Sequence, residues 1–175
     1  MKDSRCKDEI QKIRGIEKNY LLGFYYRMMG KSSKGLEEFK YVLQKNENHP
    51  RAKENMVRIY LDLGDYETAY IIAEELYINH RNNPHHIQSY LKCLMKRGVN
   101  DKEKIKSILE ELEKFDSQVG KEMYKRSKAE YLAFVDENLK AIDEIEQAIQ
   151  LDPNNHYPYI EKFDICDKFD LIDGM

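Results

Sequence analysis

A chain of 175 residues holds about one domain's worth of sequence. With 41% hydrophobic residues, thirteen Tyr and six Phe, it has enough apolar surface to build a core, which excludes a disordered chain. A net charge of −3 argues against general affinity for phosphate backbones, although residues 136–175 carry −8 and residues 1–135 carry +5. The longest uncharged apolar runs, such as 20–26 and 70–73, fall short of the roughly 18–20 residues of a membrane span. Residues 1–5 lead into no apolar leader segment. Cys6, Cys93 and Cys166 form no CxxC pair, so neither a disulfide framework nor a cysteine zinc site is expected, and a reducing cytoplasm fits.

In chain order, residues 4–15 read as a helical extension, with Ile10 and Ile13 continuing to Ile16. Three glycines then close similar helical stretches, Gly30, Gly64 and Gly98, each 34 residues from the next. Pro50 and Pro84 follow Asn-containing turns and are also 34 apart. The apolar residues keep that period: Tyr26 aligns with Tyr60 and Leu94, and Gly35 with Ala69. Steps of three, four and one in Met56, Val57, Tyr60 and Leu63, and again in Ala69, Tyr70, Ala73, Leu76 and Tyr77, are helical. Each unit reads as helix, glycine turn, helix, then a polar turn closed by proline at the next helix start.

The units so defined span about 16–49, 50–83, 84–121 and 122–155. The third holds four extra residues: Ile105, Leu109 and Leu112 suit packing positions if the turn after Gly98 is two longer, and the rest falls in 116–120. The fourth turn, 135–138, lacks glycine. Residues 156–171 read as a capping helix, its apolar stripe being Tyr159, Ile160, Phe163, Ile165, Cys166 and Phe169. Glu161, Asp164, Asp167 and Asp170 would face solvent.

No chemistry-bearing motif emerges. GxGxxG, GxxxxGK[ST] and GxSxG are absent. His49, His80, His85, His86 and His156 fall in or beside inter-unit turns without HExxH spacing, and read as solvated turn residues rather than ligands. Cys93 and Cys166 read as small buried hydrophobes, and the carboxylate pairs at 74–75, 110–111 and 143–144 as solvated outer faces. No enzymatic activity, cofactor or metal is expected.

The repeat resembles the tetratricopeptide (TPR) family, whose 34-residue helix–turn–helix unit follows W-x2-L-G-x2-Y…A-x3-F…P. Leu22-Gly23-x2-Tyr26 reproduces the first helix, residues 64–69 resemble the turn, and Ala141 with 148–155 resembles the repeat ending. Where the tryptophan is expected stand Asn19 and Lys53. The resemblance implies an all-α, right-handed α-α superhelical solenoid of about four units plus a cap, with first helices lining a concave groove. Its groove positions, carried onto this chain, include Tyr20, Phe24 and Arg27 in the first unit and Arg51, Asn55 and Arg58 in the second. The third supplies His85, Gln88, Ser89, Lys92, Met95 and Lys96, and the fourth Arg126, Ser127, Glu130 and Phe134.

Such a groove would be apolar at one end and basic in its middle, suited to an acidic peptide or protein segment. The competing reading packs Tyr20 and Phe24 against the extension and leaves the charges solvated. The expected function is a non-catalytic protein–protein interaction scaffold. The alternatives are an interaction or sensor arm of a larger protein, a self-associating module using its opposite charges, and, more remotely, a nucleic-acid-binding repeat. The Lys/Asn carboxylate clamp of chaperone-binding members is not supported, because only Asn55 matches it.

Overall fold

The computed structural model describes residues 2–98 and 101–169. Among them are ten α-helices and no strand: α1 (Lys2–Gln11), α2 (Ile16–Met28), α3 (Ser32–Lys45), α4 (Pro50–Asp62), α5 (Tyr66–Asn79), α6 (Pro84–Lys96), α7 (Lys102–Glu113), α8 (Gln118–Phe134), α9 (Asn138–Leu151) and α10 (Tyr157–Lys168). They form two compact units, α1–α5 and α6–α10.

Helix ends follow from local chemistry. Gly30, Gly64 and Gly98 take positive φ (67°, 76° and 69°), a conformation that costs glycine nothing. After Gly30 and Gly64 the next amide reaches back to close the helix, Lys31 N–H to Tyr26 O at 2.8 Å and Asp65 N–H to Tyr60 O at 2.9 Å. The fourth hairpin makes the same closure without glycine. Asp136 adopts φ 63°, and Glu137 N–H donates to Leu132 O at 2.8 Å. Aspartate is among the few L residues found in this region.

At the starts, Pro50 and Pro84 occupy the first helical turn, where the missing N–H is no loss. His49 Nδ1 accepts from Ala52 N–H, Asn83 Oδ1 from His85 N–H, and Ser117 Oγ from Gly120 N–H. α1 is a helix of its own rather than a continuation into α2, because the chain breaks at 12–15 and Gly15 has φ 76°. α7 starts four residues after Gly98, whereas α3 and α5 start two after their glycines. α8, at 17 residues, exceeds the 13 of α2, α4 and α6.

The first unit packs around Phe39, Val42, Ala52, Met56 and Ile59, with Tyr20 and Leu36 against them. Gly23 lets α2 and α3 close together: a Cβ there would sit 2.7 Å from the Phe39 ring. The second unit packs around Ala129, Leu132, Ala133, Ala141, Ile145, Ala148 and Ile165. Where the first unit meets a large ring with a glycine, the second uses alanines on both helices.

The positions of the missing tryptophan hold polar links within each hairpin. Asn19 Nδ2 donates to Glu38 at 2.7 Å, joining α2 to α3, and Lys53 Nζ to Glu75 at 2.5 Å, joining α4 to α5. In α8, Lys125 and Lys128 both grip Glu144 of α9, at 2.8 and 2.6 Å. Burial opposes ionisation of Glu144, but the two lysines win and hold its carboxyl below the usual range.

The orientation of α10 departs from the expected cap. Its buried residues are Pro158, Glu161, Ile165 and Cys166, while Tyr159, Ile160 and Phe163 are 48%, 52% and 61% exposed. Contacts with α8 and α9 decide this face, and the buried Glu161–Arg126 pair among them outweighs the pull of a more apolar stripe. Asp170 lies outside the described residues.

Candidate functional site

In the second unit, the first helices α6 and α8, with α10 beside them, carry a connected set of charges. Lys92 on α6 pairs with Glu130 on α8 at 2.8 Å and lies 3.8 Å from Glu161 on α10. Arg126 on α8 grips Glu161 with two parallel bonds, Nε–Oε2 at 2.7 Å and Nη2–Oε1 at 2.6 Å. Its Nη1 lies 3.4 Å from Glu122, which also accepts from Asn155 Nδ2 at 2.9 Å. Arg126 is 7% and Glu161 9% exposed, so the bidentate fork is shielded from water.

This setting shifts the titration of its members. Glu130, aided by Glu161, raises the Lys92 ammonium above the ordinary lysine value despite burial. Burial disfavours the Arg126 charge, yet the bonds and attraction of Glu161 outweigh it and keep the guanidinium ionised. Burial, then repulsion from Glu130, lifts Glu161 above the usual carboxylate range, with Arg126 and Lys92 opposing. Burial likewise lifts Glu122. Next to Lys92, burial pushes the Cys93 thiol up to about 12, so it stays protonated at neutral pH.

Beside these charges opens a cavity of about 320 Å³. Met95, Ala133, Phe134 and Ile165 supply its apolar wall, and Lys92, Lys96, Lys168, Glu130, Glu161 and Asp164 its charged part. It is large enough for one or two apolar side chains, near the lower end for small-ligand sites. Among the described residues, no group of three or more His, Cys, Asp or Glu is placed to hold a metal ion.

The structure brings Lys92 and Lys96 together at this cavity and sets Arg126 behind them through Glu161. His85 and Gln88 lie on the same helix as Lys92, half-buried. The others belong to the first unit. Tyr20 is half-buried, its ring 6.0 Å from Phe39 and 5.3 Å from His49. Phe24 is exposed with the Arg27 guanidinium 5.2 Å from its ring. Asn55 is buried and donates to the Arg51 carbonyl at 2.8 Å, and Arg58 pairs with Glu54 at 2.9 Å. Most of the expected basic stripe is thus engaged by carboxylates of the same unit.

Sequence reasoning missed Glu161, Asp164 and Lys168 as members of the face. They stand 34 residues after Ser127, Glu130 and Phe134, so the repeat period extended into α10 would have found them.

Compared by sequence, the chain matches no family model and no curated protein. Compared by structure, it is similar to TTC0263, a TPR protein of Thermus thermophilus, with a TM-score of 0.69 and 18% identity over 89% of this chain and 83% of that one. A tetratricopeptide repeat protein from Parabacteroides merdae gives 0.64 at 14% identity, covering 94% and 64%. The fold is a TPR-like helical repeat. A double mutant of MamA RS-1 gives 0.60 at 15% identity, covering 89% and 85%. Among the described residues of this TPR-like chain, no helix is long and apolar enough to cross a membrane.

Proposed function

We propose that this TPR-like chain is a non-catalytic interaction module that holds a protein segment on the α6/α8/α10 face. This reading rests on the cavity of about 320 Å³, whose apolar wall is held in place by the ion-paired Lys92–Glu130 and Arg126–Glu161 side chains. Rigid charged neighbours around an apolar hole suit an anchored side chain, because little ordering is left to do on binding. Among the described residues neither Lys96, which is exposed, nor Lys168, which donates to the Ala133 carbonyl and lies over the Phe169 ring, enters an ion pair, so both cations are available to a carboxylate flanking that anchor. The partner class is an apolar-anchored peptide with an adjacent acidic residue.

Selection of random twelve-residue peptides on the full chain tests this. Enrichment of apolar–acidic peptides whose affinity falls at least tenfold in Met95→Glu/Lys96→Glu, with the helical circular dichroism kept, supports the reading. Selected peptides that bind the variant equally well would reject the site.

A further inference from the structure

In α8, the positions 34 residues before Tyr159, Ile160 and Phe163 are Lys125, Arg126 and Ala129. Ala129 is fully buried, and Lys125 reaches Glu144 on α9. The same face of α2 carries Gly23, against which Phe39 of α3 sits. Lys125, Ala129 and Gly23 each meet the second helix of their own hairpin, and Arg126 is taken up by Glu161, whereas on α10 Tyr159, Ile160 and Phe163 stay exposed among the described residues. Asp164 and Asp167 continue it, both exposed and in no ion pair among the described residues. The surface to be covered is therefore apolar with an acidic border.

The first unit carries its complement. An open groove of about 720 Å³ runs past Ile13, Arg14, Lys18, Tyr41 and Lys45, with no Asp or Glu among its lining residues. Ile13 and Tyr41 are 36% and 43% exposed. Arg14 and Lys18 enter no ion pair among the described residues, and Lys45 lies over the Tyr41 ring at 5.7 Å. The polarity extends to the surroundings: residues 1–45 hold eleven Lys/Arg against six Asp/Glu, and residues 136–175 three against eleven.

From this complementarity we infer that the α10 face of one copy docks into the α1–α3 groove of a second copy, head to tail. Ile160 and Phe163 meet Ile13 and Tyr41, while Asp164 and Asp167 meet Arg14 and Lys18. Opposite net charge speeds and orients the encounter, and both apolar surfaces leave water. Such a contact is heterologous, so every copy keeps one unused surface of each kind and growth does not stop at a dimer unless a ring closes.

Sedimentation velocity on the full chain tests this, from micromolar to about millimolar concentration and at about 50 and about 500 mM salt. The expected result is an average mass that climbs past the dimer with concentration and falls at high salt. Ile160→Glu/Phe163→Glu and Arg14→Glu/Lys18→Glu should each be monomeric with helicity unchanged. Mixed in equal amounts they retain one good pair of surfaces, and the mass should double and stop there. A wild-type monomer at every concentration would overturn the inference. So would a groove variant that still dimerises, since α10 would then meet α10, or a mixture that stays monomeric.

Discussion

The two units solve one packing problem with different materials. In the first, an aromatic ring enters a glycine notch, Phe39 against Gly23, and single polar links such as Asn19–Glu38 tie the helices. In the second, alanines let α8 and α9 close together, and a buried fork between Arg126 and Glu161 ties α10 to them. A core of ring and notch is sensitive to added volume, whereas one held by a buried ion pair is sensitive to removed charge. The two units need not unfold together, and hydrogen exchange reports each of them separately.

The largest effect is expected at the fork. Glu161→Ala leaves the Arg126 charge buried and should destabilise the second unit by about 3–5 kcal/mol, leaving exchange in α2–α5 unchanged. Arg126→Met/Glu161→Leu should recover part of that loss, since it removes the cost of burying that pair while leaving the buried Glu122 with Asn155 as its partner. Equal losses in the single and double variants would mean that packing, not charge, holds α10.

The counterpart in the first unit is Gly23→Ala. The added carbon would lie 2.7 Å from the Phe39 ring and force it aside, at a cost of about 1–3 kcal/mol confined to α1–α5. A neutral result in urea unfolding would show that the notch has slack and erase the contrast with the alanine-packed unit.

A pH series sharpens the comparison within the second unit. Glu144 is held below the usual carboxylate range, so it contributes stability above its unfolded value that disappears as pH falls through its folded value. Glu161 and Glu122 are shifted upwards, so their ionisation opposes folding above the ordinary carboxylate value, and that opposition lifts as pH falls through their raised values. Glu144→Gln should therefore flatten the acid limb of the urea midpoint against pH for the second unit. A limb of unchanged steepness would assign acid sensitivity elsewhere.

The smallest effect belongs to the turn between α8 and α9. Asp136→Gly relieves a left-handed aspartate at φ 63° and should raise stability by up to about 1 kcal/mol, read as a small rise in Tm. A fall would mean that the aspartate side chain does more there than occupy a difficult conformation.

Which features could be read in advance depended on whether their cause was local. Gly30, Gly64 and Gly98 announced their turns because positive φ strongly selects glycine, while Asp136 makes the same turn and is silent, since aspartate occurs in many other settings. Pro50 and Pro84 marked helix starts for an equally local reason. The repeat position drew attention to Lys92, Lys96 and Arg126, but the ion pairing of Lys92 and Arg126 was not legible. Glu130 and Glu161, which neutralise Lys92 and Arg126, each sit on a different helix from the cation they pair with, 38 and 35 positions along the chain. The α10 face was misjudged because an apolar stripe identifies a core only when something covers it.

Composition and the 34-residue period by themselves determined that this chain is helical, that its helices pair into hairpins, and where most of them begin and end. Those outcomes rest on backbone conformation and on side chains a few residues apart. Only the tertiary structure decided which side of α10 is buried, which cations are engaged, and where the cavity opens. Each of these is set by a contest between burial, pairing and desolvation among residues far apart in the chain, and no local preference encodes its result.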